Sequence, residues 1–80
     1  MSGPRVLVYG RAGCSSCATA EAEVARICGE LGVGWGTVDV DTDPELRAEY
    51  GDMVPVFVVD GREHGYGKIE ESRLRKALVG

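Results

Sequence analysis

Residues 9–31 read YGRAGCSSCATAEAEVARICGEL, with Cys14 and Cys17 three apart between two different apolar patterns. Upstream, Arg5 to Tyr9 (RVLVY) is a continuous aliphatic and β-branched run, which fits a strand buried on both faces of a helix-covered sheet. Downstream, Ala20, Val24, Ile27, Cys28 and Leu31 recur at spacings of three and four, while Glu21, Glu23, Arg26 and Glu30 fall mostly off that stripe. The spacing predicts an amphipathic helix from Ser15 to Leu31, closed by Gly32 as a left-handed cap. The cysteine pair therefore stands at a strand-to-helix junction.

Beyond Gly32, Trp35 to Val40 (WGTVDV) reads as a second strand. In DTDPELRAEYG, Asp43 caps a helix of about two turns, Pro44 takes its first position and Gly51 closes it. Val56 to Val59 is another apolar strand, and Asp60-Gly61 is a dipeptide favoured in two-residue hairpin turns. Arg62 to Tyr66 then forms an antiparallel edge strand. The segment KIEESRLRKALVG has acids Glu70 and Glu71 early and bases Arg73, Arg75 and Lys76 late, which matches a helix dipole, with Leu74, Ala77 and Leu78 as the buried face.

The resulting order is βαβαββα. A right-handed crossover makes the first two strands parallel, and the hairpin adds an antiparallel pair. Two helices on one face and one on the other would cover this four-stranded mixed sheet. The expected fold class is thus α/β, one domain over residues 1–80, because 80 residues leave room for one small core.

Hydrophobic residues make up 44% and charged residues 28% of the chain, an ordinary globular composition rather than a disordered one. Nine basic against thirteen acidic residues give a net charge of −4, with the bases scattered, which argues against a phosphate backbone as partner. The start, MSGPRVLVYG, has an apolar run too short for a signal-peptide core or a membrane span. The expected compartment is the cytoplasm, where closely spaced cysteines are more often catalytic or metal-binding than structural.

Three chemistries compete for Cys14 and Cys17: a redox couple, half of a metal site, or two small core residues. At a helix N-terminal cap, Cys14 meets unpaired N–H groups and the positive end of the dipole, which favour the thiolate. Cysteines in such sites can have a pKa lowered from about 8.5 to roughly 3.5 to 7.5. Cys17, one turn on, is placed to close a disulfide once Cys14 has formed a mixed disulfide. A structural zinc needs four ligands, and beyond the pair only Cys28, on the apolar stripe, and His64, on the edge strand, remain. Asp39, Asp41 and Asp43 alternate without the rest of a calcium loop and read as strand end and helix cap. Trp35 and Tyr50 read as packing, and Tyr66 as either a groove residue or a cover for the sheet edge.

The segments LVYGRAGCSSC and DVDTDPELRAEYGDMVPVFVVDG together resemble a glutaredoxin, specifically the short glutaredoxin-like proteins of the thioredoxin fold found in bacteria. The resemblance spans Arg5 to Leu78. It implies a thiol-disulfide oxidoreductase with Cys14 as nucleophile and Cys17 as resolving thiol. It also implies that the Val54-Pro55 bond is cis and packs beside the cysteines, with the Val54 main chain pairing with a bound thiol. Arg11 falls where glutaredoxins often carry a lysine that holds glutathione and favours the thiolate, although Arg differs from Lys in reach. The chain departs from the family at HGYGKIEES, where Gly65 and Gly67 are split by Tyr66 instead of standing adjacent as in the glutathione-binding pattern. Dithiol exchange therefore carries over more firmly than glutathione binding. The implied partners are protein or low-molecular-weight disulfides, with glutathione as a possible co-substrate or a thioredoxin-reductase-type donor. No metal, bound cofactor, nucleic acid or membrane is expected, and the chain is expected to be a monomer. The alternative is an iron-sulfur or metal-binding module that docks a partner without redox turnover.

Overall fold

In the computed structural model, which describes residues 3–79, strand β1 (Val6–Gly10) leads into helix α1 (Ser15–Leu31) and strand β2 (Trp35–Asp39). A single 3-10 turn (Val40–Thr42) precedes helix α2 (Pro44–Tyr50), the hairpin strands β3 (Val56–Val59) and β4 (Arg62–Tyr66), and helix α3 (Glu71–Val79). Of the expected 1–80 domain, Met1, Ser2 and Gly80 lie outside the described residues. The sheet order is β2-β1-β3-β4, with β1 parallel to β2 and antiparallel to β3, and β3 antiparallel to β4. This is the expected mixed four-stranded α/β arrangement.

Local signals account for most element ends. Gly32 closes α1 at φ +68°, a conformation that costs a side chain but not glycine, and its N–H bonds the Cys28 carbonyl. Asp43 caps α2 through its carboxylate, with Pro44 at the first helical position. Asp60 and Gly61 both take positive φ, 52° and 81°, as a two-residue hairpin of this type requires.

Alternation along the strands sorts side chains to two faces. Val6 and Val8 of β1 stand opposite Val59 and Phe57 of β3 and pack against Ala20, Val24, Ile27 and Cys28 of α1 and Leu74 and Leu78 of α3. Each large side chain buried there contributes roughly 1.5–3 kcal/mol. Leu31, Val33, Trp35 and Ile69 pack around this cluster, so Trp35 is a packing residue. On the second face, Tyr9 meets Tyr50 of α2 with ring centroids 5.2 Å apart, and α2 buries no residue completely. The strand β1 is thus fully buried on one face only. Leu7 and Tyr9 are half-buried because a two-turn helix cannot cover the sheet as α1 and α3 together do.

Two further expectations need correction. The second strand stops at Asp39, since the Asp39 carboxylate accepts from the Asp41 N–H at 2.9 Å and turns the chain into the 3-10 segment that holds Val40. Ala77 is exposed, whereas Leu74 and Leu78 are buried; Ala77 lies on the flank of α3 and lines an open groove with Arg62 and His64 of the sheet edge.

Charged groups brace the outside of the core. Arg26 and Arg75 grip Glu71 at 2.8 and 2.9 Å, and Arg75 also reaches Glu30 at 2.5 Å, which ties α1 to α3. Arg5 holds the Asp60 carboxylate through two N–H groups at 2.8 Å and donates to the Leu78 carbonyl at 3.0 Å, joining β1, the hairpin turn and the end of α3.

Candidate active site

The cysteine pair lies at one end of the sheet. After Gly10, three residues turn the chain into α1, with Gly13 at φ +78°. Cys14 takes the cap position in extended backbone, and its Sγ accepts from the Cys17 N–H at 3.1 Å. An oxygen of Ser, Thr, Asp or Asn ordinarily fills this role. Here the helix start is held by sulfur, and the first turn that follows carries no carboxylate. The positive end of the helix dipole is therefore left for the sulfur alone.

Cys14 and Cys17 are paired as a disulfide with their Cα atoms 5.2 Å apart, within the span of such a bond. Cys14 is half-buried and Cys17 only 2% exposed. The outer cysteine is thus the more accessible of the two, and the inner one packs against Gly10 of β1. Gly10 makes this close packing possible. A Cβ there would lie 3.2 Å from both Cβ and Sγ of Cys17, close enough that Cys17 would have to give way, and in ordinary contact 3.6 Å from Glu21 Oε2.

The Val54-Pro55 bond is cis. Strand β3 runs antiparallel to β1 with Tyr9 opposite Val56, so Pro55, one residue before that last pair, lies at the end of β1 from which the chain enters the cysteine turn. Pro55 is buried and its carbonyl accepts from the Gly67 N–H at 2.7 Å. Val54 lies outside the strand ladder, which begins at Val56. The proline segment thus shares the end of the sheet that carries the cysteines.

Arg11 is placed at the same end but is already engaged. Its Nε and Nη2 donate to the two oxygens of Asp41 at 3.1 and 3.0 Å, and its Nη1 donates to the Gly51 carbonyl at 3.3 Å. The hydrogen bond to Asp41 raises its pKa further above the ordinary value. Tyr66 is 63% exposed at the end of the edge strand. A groove of about 430 Å³ between α1 and the segment after β4 is lined by Ser16, Thr19 and Glu23 on one side and Gly67, Lys68 and Ile69 on the other, without Tyr66.

The remaining candidates stand apart. Cys28 is fully buried in the core, and burial pushes its thiol pKa up. His64 is half-buried at an irregularity in the β3–β4 pairing, where Phe57 faces Gly65 and Val58 faces Glu63; burial holds its pKa down. Among the described residues, no three His, Cys, Asp or Glu side chains gather as metal ligands, and no helix is long and apolar enough to cross a membrane.

Three contributors escaped the sequence reading. Asp41 and Gly51 meet Arg11 only through the fold, across 30 and 40 residues, and no local pattern announces them. Gly10 did carry a signal, since glycine closing a β-branched run marks a close backbone approach.

A family of proteins described as the glutaredoxin-like domain (DUF836) matches residues 5–79. An uncharacterized protein of Mycobacterium tuberculosis strain H37Rv is 45% identical over 84 residues, covering 99% of this chain and 87% of the relative. The solution structure of protein Ne2328 from Nitrosomonas europaea superposes with a TM-score of 0.76 at 23% identity, covering 92% of this chain and 91% of that one. The glutaredoxin of Archaeoglobus fulgidus superposes with a TM-score of 0.59 at 20% identity, covering 96% and 88%. At those identities the two structures speak for the fold alone, which is thioredoxin-like. With nearly its whole length matched and its cysteine pair at the strand-to-helix turn, the chain belongs to the glutaredoxin-like (DUF836) family of thioredoxin-fold proteins.

Proposed function

We propose that this chain is a glutaredoxin-like thiol-disulfide oxidoreductase. The observation that supports it best is the half-buried Cys14 sulfur at the cap of α1, accepting from the Cys17 N–H, with the shielded Cys17 as its disulfide partner.

In the reducing direction the Cys14 thiolate attacks a substrate disulfide. A bond forms between Cys14 and one substrate sulfur, and the other leaves as a thiolate that takes a proton from solvent. Cys17 then loses its proton and attacks Cys14, which forms the internal disulfide and releases the second substrate thiol. Two electrons pass from the dithiol to the substrate. A low-molecular-weight thiol or a thioredoxin-reductase-type donor returns them. The chemistry resides in the two sulfurs and calls for no bound cofactor.

The cis Val54-Pro55 segment, at the cysteine end of the sheet, supplies the Val54 main chain as the contact for a bound thiol. Arg11 and the exposed Tyr66 are the remaining substrate contacts of this reading. The substrates are protein or low-molecular-weight disulfides, handled by a monomer in the cytoplasm as part of redox homeostasis and electron transport.

The test is reduction of bis(2-hydroxyethyl) disulfide by the reduced protein, followed by thiol release. Cys14→Ser is expected to abolish it, and Cys17→Ser to trap a mixed disulfide on Cys14 that mass spectrometry detects. Activity surviving in Cys14→Ser would sink the mechanism. A stable coloured dimer after anaerobic reconstitution with iron and sulfide, without reductase activity, would assign the pair to cluster carriage instead.

A further inference from the structure

Arg11 stands three residues before Cys14 in the turn that follows β1, which makes it the cation nearest in sequence to the cysteine pair. Its charge is not on offer. Three of its five N–H donors are taken, and the fork formed by Nε and Nη2 is filled by both oxygens of Asp41. Such a bidentate pair has the geometry by which an arginine would grip a carboxylate from outside. The chain thus supplies its own carboxylate at the point where an anionic partner would need one displaced.

More negative charge surrounds the pair. Asp39 and Asp52 lie near enough to act on Arg11, and Glu21 lines the same small pocket as Arg11, Gly10 and Asp39. One arginine therefore faces four carboxylates on this side of the cysteines. On the other side, the groove beside α1 holds one cation, Lys68, and one carboxylate, Glu23. The surfaces flanking the cysteine segment thus carry more carboxylates than cations, and juxtaposed like charges slow encounter and weaken binding.

We propose that Asp41, by occupying Arg11, makes this cleft discriminate against disulfides that carry carboxylates, and that its low-molecular-weight partner is an uncharged or cationic thiol. The inference rests on the redox reading above. It takes glutathione, which carries a net negative charge, as a poor partner for this chain.

Three disulfides of graded charge provide the test: cystamine, cationic; bis(2-hydroxyethyl) disulfide, neutral; and oxidised glutathione, anionic. Each is offered to the reduced protein at low and at high ionic strength. The expected result is a rate for cystamine about tenfold above that for oxidised glutathione at low salt, narrowing as salt screens the charges. In Asp41→Asn the ratio of oxidised glutathione to bis(2-hydroxyethyl) disulfide should rise about threefold to tenfold, as Arg11 is released. Because both rates come from the same sample, a merely structural loss moves them together and leaves the ratio unchanged.

An unchanged ratio in Asp41→Asn would overturn the proposal, as would equal handling of the three disulfides by the wild type. Preference for oxidised glutathione that disappears in Lys68→Gln would place anion recognition on the opposite wall and overturn it too. Reduction of none of the three would overturn the redox reading itself, and this inference with it.

Discussion

The starts of α1 and α2 solve one problem with different atoms. Both are capped by a residue in extended backbone whose side chain accepts an N–H from the first turn: Cys14 Sγ from Cys17 at 3.1 Å, Asp43 Oδ1 from Glu45 at 2.9 Å. At α2 the dipole meets two carboxylates, Asp43 and Glu45, and its field is spent on holding the helix. At α1 the first turn holds Ser15, Ser16 and Cys17, and the same field falls on a sulfur that can be oxidised. The comparison separates a cap built from a carboxylate from a cap built from an oxidisable sulfur, the first accepting from the residue two positions on and the second from the residue three positions on.

The comparison can be broken most severely by giving α1 the cap of α2. Cys14→Asp should preserve the helix start, visible in far-UV circular dichroism, while disulfide reduction drops to background. A second change acts on what lies beneath the cap. Gly10→Ala places a methyl 3.2 Å from Cys17 Sγ, with an expected loss of about 1–3 kcal/mol in denaturant unfolding and slower resolution of the mixed disulfide. The reciprocal change at α2, Asp43→Ala, should cost about 1 kcal/mol and leave the rate of reduction of a neutral disulfide within about twofold. Equal losses of rate for Asp43→Ala and Gly10→Ala would show that the two caps are not as separate as their geometry indicates.

The smallest effect is expected far from both caps, at Glu71. The hydrogen bonds from Arg26 and then Arg75 lower its pKa from the ordinary 4.5 to about 2. A carboxyl depressed in the folded state contributes stability fully above its unfolded value, and that contribution is lost as the pH falls from about 4.5 through about 2. Glu71→Gln should therefore flatten the acid-unfolding curve in this window. The difference should shrink with added salt, since the group is exposed.

What the chain disclosed in advance follows the range of each interaction. The cap at Cys14, the glycine stop at Gly32, the Asp43-Pro44 start and the Asp60-Gly61 turn depend on neighbours in sequence, and the structure has all four where the residues announced them. The pairing of Arg11 with Asp41 depends on β2 lying beside β1, with Gly10 opposite Asp39, and nothing near Arg11 encodes it. The half-covered second face was hidden for a related reason. Leu7 is as apolar as Val6 and Val8 and Tyr9 carries a large aromatic ring, and the shortness of α2 decides that they are less buried. Ala77 shows the same limit, because helical spacing marks an apolar flank but not how far the sheet extends beneath it.

The sheet order β2-β1-β3-β4 bears on how the molecule breathes. Strand β1, from which the reactive turn hangs, is bonded along both sides, while β2 and β4 each have one side open to solvent. Local fluctuations that release an outer strand would let its amides exchange with deuterium while the β1–β3 ladder stays closed. Deuterium should enter β4 and β2 first and the amides of β1 last, so the platform under the two sulfurs outlasts most of the molecule's smaller openings.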